Sequence, residues 1–186
     1  MGRLIEVENL TLKFRTDEGL ITAVENVSFS LDTGEVMGLV GESGSGKSVT
    51  AKALMHLNAG NAIYSDDSRI TLHTETGPVD VLSLKKPADL KVVRGGAISM
   101  IFQEPMASFA PSISIGKQMV EQLQLHSNMS KAQAREISIE MLDRVGITEP
   151  STRVDQYAFE LSGGMRQRAM IAMAPVSYTH LRAHET

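Results

Sequence analysis

The sequence predicts an α/β fold, and three observations carry the prediction. Residues 4–8 (Leu-Ile-Glu-Val-Glu) and 27–31 (Val-Ser-Phe-Ser-Leu) alternate apolar and polar with the period of a half-exposed strand. Val36-Met37-Gly38-Leu39-Val40 and Ala97-Ile98-Ser99-Met100-Ile101-Phe102 are apolar runs of the kind expected for strands covered on both faces. Helical patterns occupy residues 47–57, 115–126 and 131–145.

In chain order, Asp32-Thr33-Gly34-Glu35 is a turn signal that separates the first strands from the buried run at 36–40. A loop rich in Gly and Ser follows at 41–46 and opens the first helix. Residues 58–87 are polar and rich in turn formers, with a short strand at 70–73 and a turn at Gly77-Pro78. Pro105 and Pro111 force an irregular loop after the run at 97–102. The helix after Ser130 is bounded at both ends: Ser130 and Gln133 have capping-box spacing, and Gly146 stands where a helix closes in the left-handed conformation.

The chain has 186 residues, 42% apolar and 22% charged, enough for one core and incompatible with disordered, fibrous or disulfide-scaffold classes. Twenty-two acidic against 18 basic residues give a formal charge of −4, so no overall cationic surface exists for nucleic acid, and an anionic ligand must bind at a local site. With 0 cysteines there is no disulfide, thiolate chemistry or cysteine metal site. The apolar runs fall far short of the roughly 18 residues of a membrane span. The segment Met1-Gly2-Arg3-Leu4-Ile5-Glu6 lacks a signal-peptide core and carries Glu6 where a myristoylation motif has Ser or Thr, so a cytosolic protein is expected.

Gly41-Glu42-Ser43-Gly44-Ser45-Gly46-Lys47-Ser48, followed by Val49, fits the pattern G-x-x-x-x-G-K-[ST]. A strand before it and a helix after it would converge backbone N–H groups and the positive helix end on one anion-sized space. Lys47 would then sit over β and γ phosphates and the Ser48 hydroxyl would ligate Mg²⁺. A dinucleotide fingerprint is disfavoured, because Gly44-Ser45-Gly46 is followed by Lys47, Ser48 and Val49 without a third glycine.

Leu161-Ser162-Gly163-Gly164-Met165-Arg166-Gln167-Arg168 repeats this logic, with a serine cap and two glycines opening a helix that runs to about Ala174. Following a phosphate loop about 120 residues upstream, this octapeptide resembles the signature motif of ATP-binding cassette (ABC) proteins. The segments Met100-Ile101-Phe102-Gln103-Glu104-Pro105-Met106, Ile115-Gly116-Lys117-Gln118 and 166–174 are similar to the importer branch for dipeptides, oligopeptides, nickel and glutathione. The resemblance covers residues 1–174.

The resemblance implies a P-loop NTPase fold of the ABC type: an N-terminal antiparallel β subdomain, a partial parallel core sheet and a helical subdomain at about 105–165. It implies ATP and Mg²⁺ as cofactors, Phe14 as the ring that stacks on adenine, and Gln103 as the side chain that contacts Mg²⁺ and the attacking water. Ser162, Gly163 and Gly164 would meet the nucleotide of a second ATP-binding subunit, identical or related. The implied partners are membrane permease subunits and, through them, an extracytoplasmic solute-binding protein, with no nucleic acid. The implied location is the inner face of the cell membrane, held peripherally through the permease. ATP binding and hydrolysis would drive uptake of peptides or similar small solutes. The rival readings are a soluble cassette protein acting on nucleic acid or ribosomes, and a nucleotide-binding fragment without turnover.

The family pattern departs after Ala174. Its apolar strand ending in an Asp-Glu pair (Walker B and the general base) and its switch histidine have no counterpart, and residues 175–186 read as a non-native or unstructured tail on a C-terminally truncated domain. His180 and His184 in that tail are not taken as metal ligands, for want of a third ligand nearby. Met165, Met170 and Met173 read as packing, and Lys85, Lys86, Lys91 and Arg94 as a solvated face.

Overall fold

The computed structural model describes residues 2–104 and 108–174. The chain divides into two compact units, Met1–Val93 and Arg94–Thr186. The sequence predictions for His180, His184 and the rest of residues 175–186 lie outside the described residues, as do Pro105 and Met106.

The first unit is an antiparallel sheet built on β1 (Arg3–Thr16) and β2 (Gly19–Asp32). β3 (Ala62–Tyr64) and β4 (Arg69–Thr74) pair with different stretches of the other edge of β1, and β5 (Gly77–Asp80) pairs with β4. β1 and β2 are much longer than the alternation at 4–8 and 27–31 predicts. Ile5 and Val7 are buried at odd positions, but Leu10 and Leu12 are buried at even ones. Asn9 (φ 50°) and Asn26 (φ 48°) adopt left-handed backbone at bulges that shift the parity, a conformation Asn tolerates. Neighbouring hydroxyls accept the N–H groups of both bulge residues, Asn9 to Ser28 Oγ at 2.8 Å and Asn26 to Thr11 Oγ1 at 2.9 Å. Burying Leu10 and Leu12 fully contributes ~1.5–3 kcal/mol each against the chain's entropy.

The turn expected at Gly77-Pro78 lies two residues earlier. His73 faces Pro78 and Thr74 faces Gly77, so Glu75 and Thr76 make the turn. Pro78 is tolerated because β5 is an edge strand, where a missing N–H costs no ladder bond.

The buried strands expected at 36–40 and 97–102 are not formed. Neither run belongs to a strand; Val36 and Val40 are 96% and 93% exposed, and Ile101 is 53% exposed. A parallel strand is held only by neighbours on both edges and helices on both faces. Among the described residues the sole parallel pairing is an isolated bridge between Arg94 and Ile98, so the expected partial parallel core does not assemble as a ladder. The first helix, α1 (Lys47–Ala53), stops short of residue 57 because His56 (φ 51°) closes it. A short helix α2 (Pro87–Leu90) follows; Lys85, Lys86 and Lys91 around it are exposed as expected.

The second unit is helical. α3 (Ile115–His126), α4 (Lys131–Arg144), α5 (Pro150–Arg153) and α6 (Gly163–Met173) close on a core that includes Ile115, Met119, Leu123, Leu142, Val154 and Ala169. Met170 is buried in that core and Met165 and Met173 pack on it, which is the packing role read from the sequence. Both predicted caps of α4 are made. Gln133 N–H donates to Ser130 Oγ while Ser130 N–H donates to Gln133 Oε1, and Gly146 (φ 75°) closes the other end. Among the described residues no helix is long and apolar enough to cross a membrane.

Candidate nucleotide site

The sequence-predicted site residues fall in both units: Phe14 and Gly41–Val49 in the first, Gln103 and Ser162–Gly164 in the second. In the first unit the loop is shaped by glycines, two of them in left-handed backbone and one of those backed by the sheet. Gly44 (φ 83°) and Gly46 (φ 87°) are left-handed, where a side chain is strained. A Cβ on Gly46 would stand 2.5 Å from the Ala23 carbonyl oxygen of β2, and one on Gly41 would stand 2.6 Å from Ser45 Oγ. The loop therefore lies directly against the sheet and folds tightly on itself.

Helix α1 starts from Gly46 without a side-chain cap, and its first helical bond runs from Thr50 N–H to the Gly46 carbonyl at 2.8 Å. The N–H groups of Lys47, Ser48 and Val49 thus lack intrahelical acceptors, as at any helix start, and point where an anion can take them. The Lys47 ammonium folds back over the loop, donating to the carbonyls of Gly41 at 2.7 Å and Glu42 at 2.6 Å. Ser45 Oγ lies 3.4 Å from the same ammonium. A cation held only by neutral oxygens has no compensating negative charge, so phosphate oxygens offer it a better partner. The Ser48 hydroxyl is exposed at the same helix start. One hydroxyl beside phosphate oxygens and water is the donor set that suits Mg²⁺, so these residues fit a magnesium nucleotide. Phe14 is half-buried in β1, opposite Ile21 of β2 and Ala62 of β3, on the strand face that carries Leu12.

The second helix start is built differently. Ser162 caps α6 by accepting the Met165 N–H at 3.3 Å. Gly163 and Gly164 are exposed, and a Cβ on either would meet nothing within 4 Å. Among the described residues of their own unit nothing requires glycine on steric grounds at either position. Gln103 is exposed in an irregular stretch. Among the described residues no group of three or more His, Asp or Glu is arranged to hold a metal.

A family profile described as ABC transporter matches residues 24–181, most of the chain and both helix starts. The chain belongs to the ABC transporter family. It is 47% identical over 175 residues to the glutathione import ATP-binding protein GsiA of Escherichia coli strain K12, and equally to that of Shigella flexneri. The match covers 93% of this chain and 28% of each relative, so the chain spans about a quarter of their length.

Solved cassettes share the fold. A bacterial ABC transporter cassette solved as a dimer superposes with a TM-score of 0.78 at 23% identity, covering 94% of this chain and 70% of that one. The cbiO1 protein of Clostridium perfringens, part of an ABC transporter complex, gives 0.66 at 21% identity, covering 95% of this chain and 62% of that one. The ABC-type P-loop fold expected from the sequence is thereby established.

Further residues shape the second unit through contacts that the sequence does not reveal, although Gly116 and Gln118 lie in the family-like segment 115–118. Gly116 lets α3 approach the chain after α5 closely enough that its N–H donates to the Val154 carbonyl at 2.7 Å, where a Cβ would collide with Val154. The Gln118 side chain closes the loop before α3, bonding the N–H and carbonyl of Ala110 and the carbonyl of Ile113. Arg135 and Asp155 form a two-bond pair at 2.8 and 2.7 Å that ties α4 to the segment leading toward Ser162. The guanidinium of Arg135 holds the Asp155 carboxyl below its ordinary range, and Asp155 raises Arg135 in turn.

Proposed function

We propose that this chain is the ATP-binding part of an ABC importer for glutathione, peptides or similar small solutes, working with membrane permease subunits and a second ATP-binding subunit. The observation that carries the reading is the contrast in its glycines. Gly46 is required by its own unit, being left-handed and backed by the Ala23 carbonyl, whereas Gly163 and Gly164 meet nothing among the described residues of theirs. Glycines that leave a helix start bare are useful where a phosphate or another backbone must approach from outside.

On this reading the N–H groups of Lys47, Ser48 and Val49 and the Lys47 ammonium receive the β and γ phosphates, and Ser48 supplies a hydroxyl to Mg²⁺. Phe14 offers its ring face to adenine. Gln103 takes the role the family resemblance implies, toward Mg²⁺ and the attacking water. Ser162, Gly163 and Gly164 meet the γ phosphate held by the other subunit, so ATP closes the pair and its loss releases it. That cycle is what a permease can convert into alternating access. The residues named here account for binding and closure. Resemblance to GsiA supports the solute class, and the family supports the permease and the peripheral place on the inner membrane face.

Titration of the purified chain with a fluorescent ATP analogue tests the reading at its root. Saturable binding strengthened by Mg²⁺ and displaced by ATP is expected; no displacement by ATP would contradict it.

A further inference from the structure

The proposed adenine platform and the phosphate loop lie on different elements, β1 and α1, and one nucleotide must reach both. Residues 54–61 form the link from the end of α1 to β3, the strand paired with β1 at Phe14. Its side chains are tied at both ends. At the helix end His56 (φ 51°) takes a conformation usually left to glycine, with its N–H donating to the Ala53 carbonyl at 2.9 Å and the next N–H, of Leu57, to the Lys52 carbonyl at 2.8 Å. Asn58 then reaches back, its Nδ2 donating to the Val49 carbonyl within α1 at 3.1 Å and to the Tyr64 hydroxyl at 3.0 Å.

Tyr64 belongs to β3 and faces Leu12, two residues before Phe14. Its ring meets that of His56 edge-on at 5.7 Å, and His56 Nδ1 lies 3.2 Å from the Leu84 carbonyl oxygen. At the strand end, Ala62 faces Phe14 and Asn61 Nδ2 donates to the Arg15 carbonyl at 2.9 Å. Burial pushes the Tyr64 phenol up, so it stays protonated and neutral at ordinary pH. A helix cap alone needs neither the reach of Asn58 to Val49 nor a tyrosine on the strand beside Phe14.

We propose that His56, Asn58 and Tyr64 are positioning residues, a strut that fixes the phosphate-loop helix at a set offset from Phe14 so that adenine and phosphates bind together. The inference rests on the reading of Phe14 as the adenine platform. The strut touches no substrate. It lowers the cost of ordering two elements that one ligand must bridge, which raises affinity for the bridging ligand and leaves either half-site as it was.

The experiment compares affinity for ATP with affinity for inorganic tripolyphosphate, which occupies the loop without reaching Phe14. Asn58→Asp keeps the shape and removes both donated bonds; Tyr64→Phe keeps the ring; His56→Gly keeps the left-handed backbone and removes the imidazole. ATP is expected to bind about tenfold more weakly to Asn58→Asp and about threefold more weakly to the other two, with tripolyphosphate unchanged within about twofold. A purely structural role would lower the melting temperature and leave the ratio of the two affinities alone, which overturns the strut. Equal weakening of both ligands also overturns it, since that places the effect in the loop itself. Phe14→Ala separates the premises: if it leaves ATP affinity unchanged, the adenine reading fails and takes the strut with it. If Phe14→Ala weakens ATP while Asn58→Asp does not, the strut alone is wrong.

Discussion

The two helix starts of this cassette use the same elements, glycine, serine and a free turn of N–H groups, to different ends. At Gly46 the backbone is left-handed, the space behind it is filled by the Ala23 carbonyl, and no side chain caps the helix. At Ser162 a hydroxyl caps the helix and the two glycines after it face open space. A sequence pattern that reads alike in both places thus describes one helix start whose glycine is demanded by its own unit and one whose glycines face open space among the described residues, the contrast on which the proposed function rests.

Gly46→Ala attacks the first start where it is least tolerant. A methyl must displace the backbone of β2 or the loop, and a displacement of about 1 Å costs on the order of 10²-fold in a positioned site. Isothermal titration with ATP should show that loss or more; retention of wild-type affinity would mean that the loop is not held as described.

Gly116→Ala sharpens the comparison within the second unit, because this glycine, unlike Gly163 and Gly164, is demanded by its neighbours. Its Cβ would meet the Val154 carbonyl oxygen at 2.7 Å. The expected cost is ~1–3 kcal/mol, read as a melting temperature several degrees lower.

The Arg135–Asp155 pair contributes less. Its side chains are about half exposed, so solvent screening leaves it ~0.2–1 kcal/mol. Because Asp155 titrates below its unfolded value, that contribution is present above the ordinary carboxylate range and is lost as pH falls through the folded value. Asp155→Asn should lower stability near neutrality by this amount and flatten the acid limb of the unfolding curve. A variant as acid-sensitive as the parent would assign that limb to other carboxylates.

The smallest expected effect belongs to Gly163→Ala and Gly164→Ala, each within ~0.5 kcal/mol of the parent in thermal melts. A large destabilisation by either would show that its own unit does need the glycine.

What the sequence made legible was local. The loop at 41–48, the caps at Ser130 and Gly146, and the serine opening α6 are fixed by residues three or four apart, and the structure forms each one. Long-range consequences were hidden. The bulges at Asn9 and Asn26 reverse the burial parity of the strands, so alternation marks only a fraction of each. Apolar runs at 36–40 and 97–102 signal what a strand needs around it and cannot show that the neighbours are in place. Asn58, Tyr64 and Gly116 act on chain that lies 6 to 38 positions away, where periodicity carries no information. The open space at Gly163 and the filled space at Gly46 look identical in one-letter code.

The central claim is that the first helix start binds nucleotide within this chain while the second does not. Titration of Lys47→Ala and Gly164→Asp with the same fluorescent ATP analogue tests it directly. Removing the lysine should abolish binding, since loop amides alone do not replace its charge, whereas a carboxylate at Gly164 should leave affinity within about twofold of the parent. Undiminished binding by Lys47→Ala, or a loss in Gly164→Asp as large as that in Lys47→Ala, would contradict it.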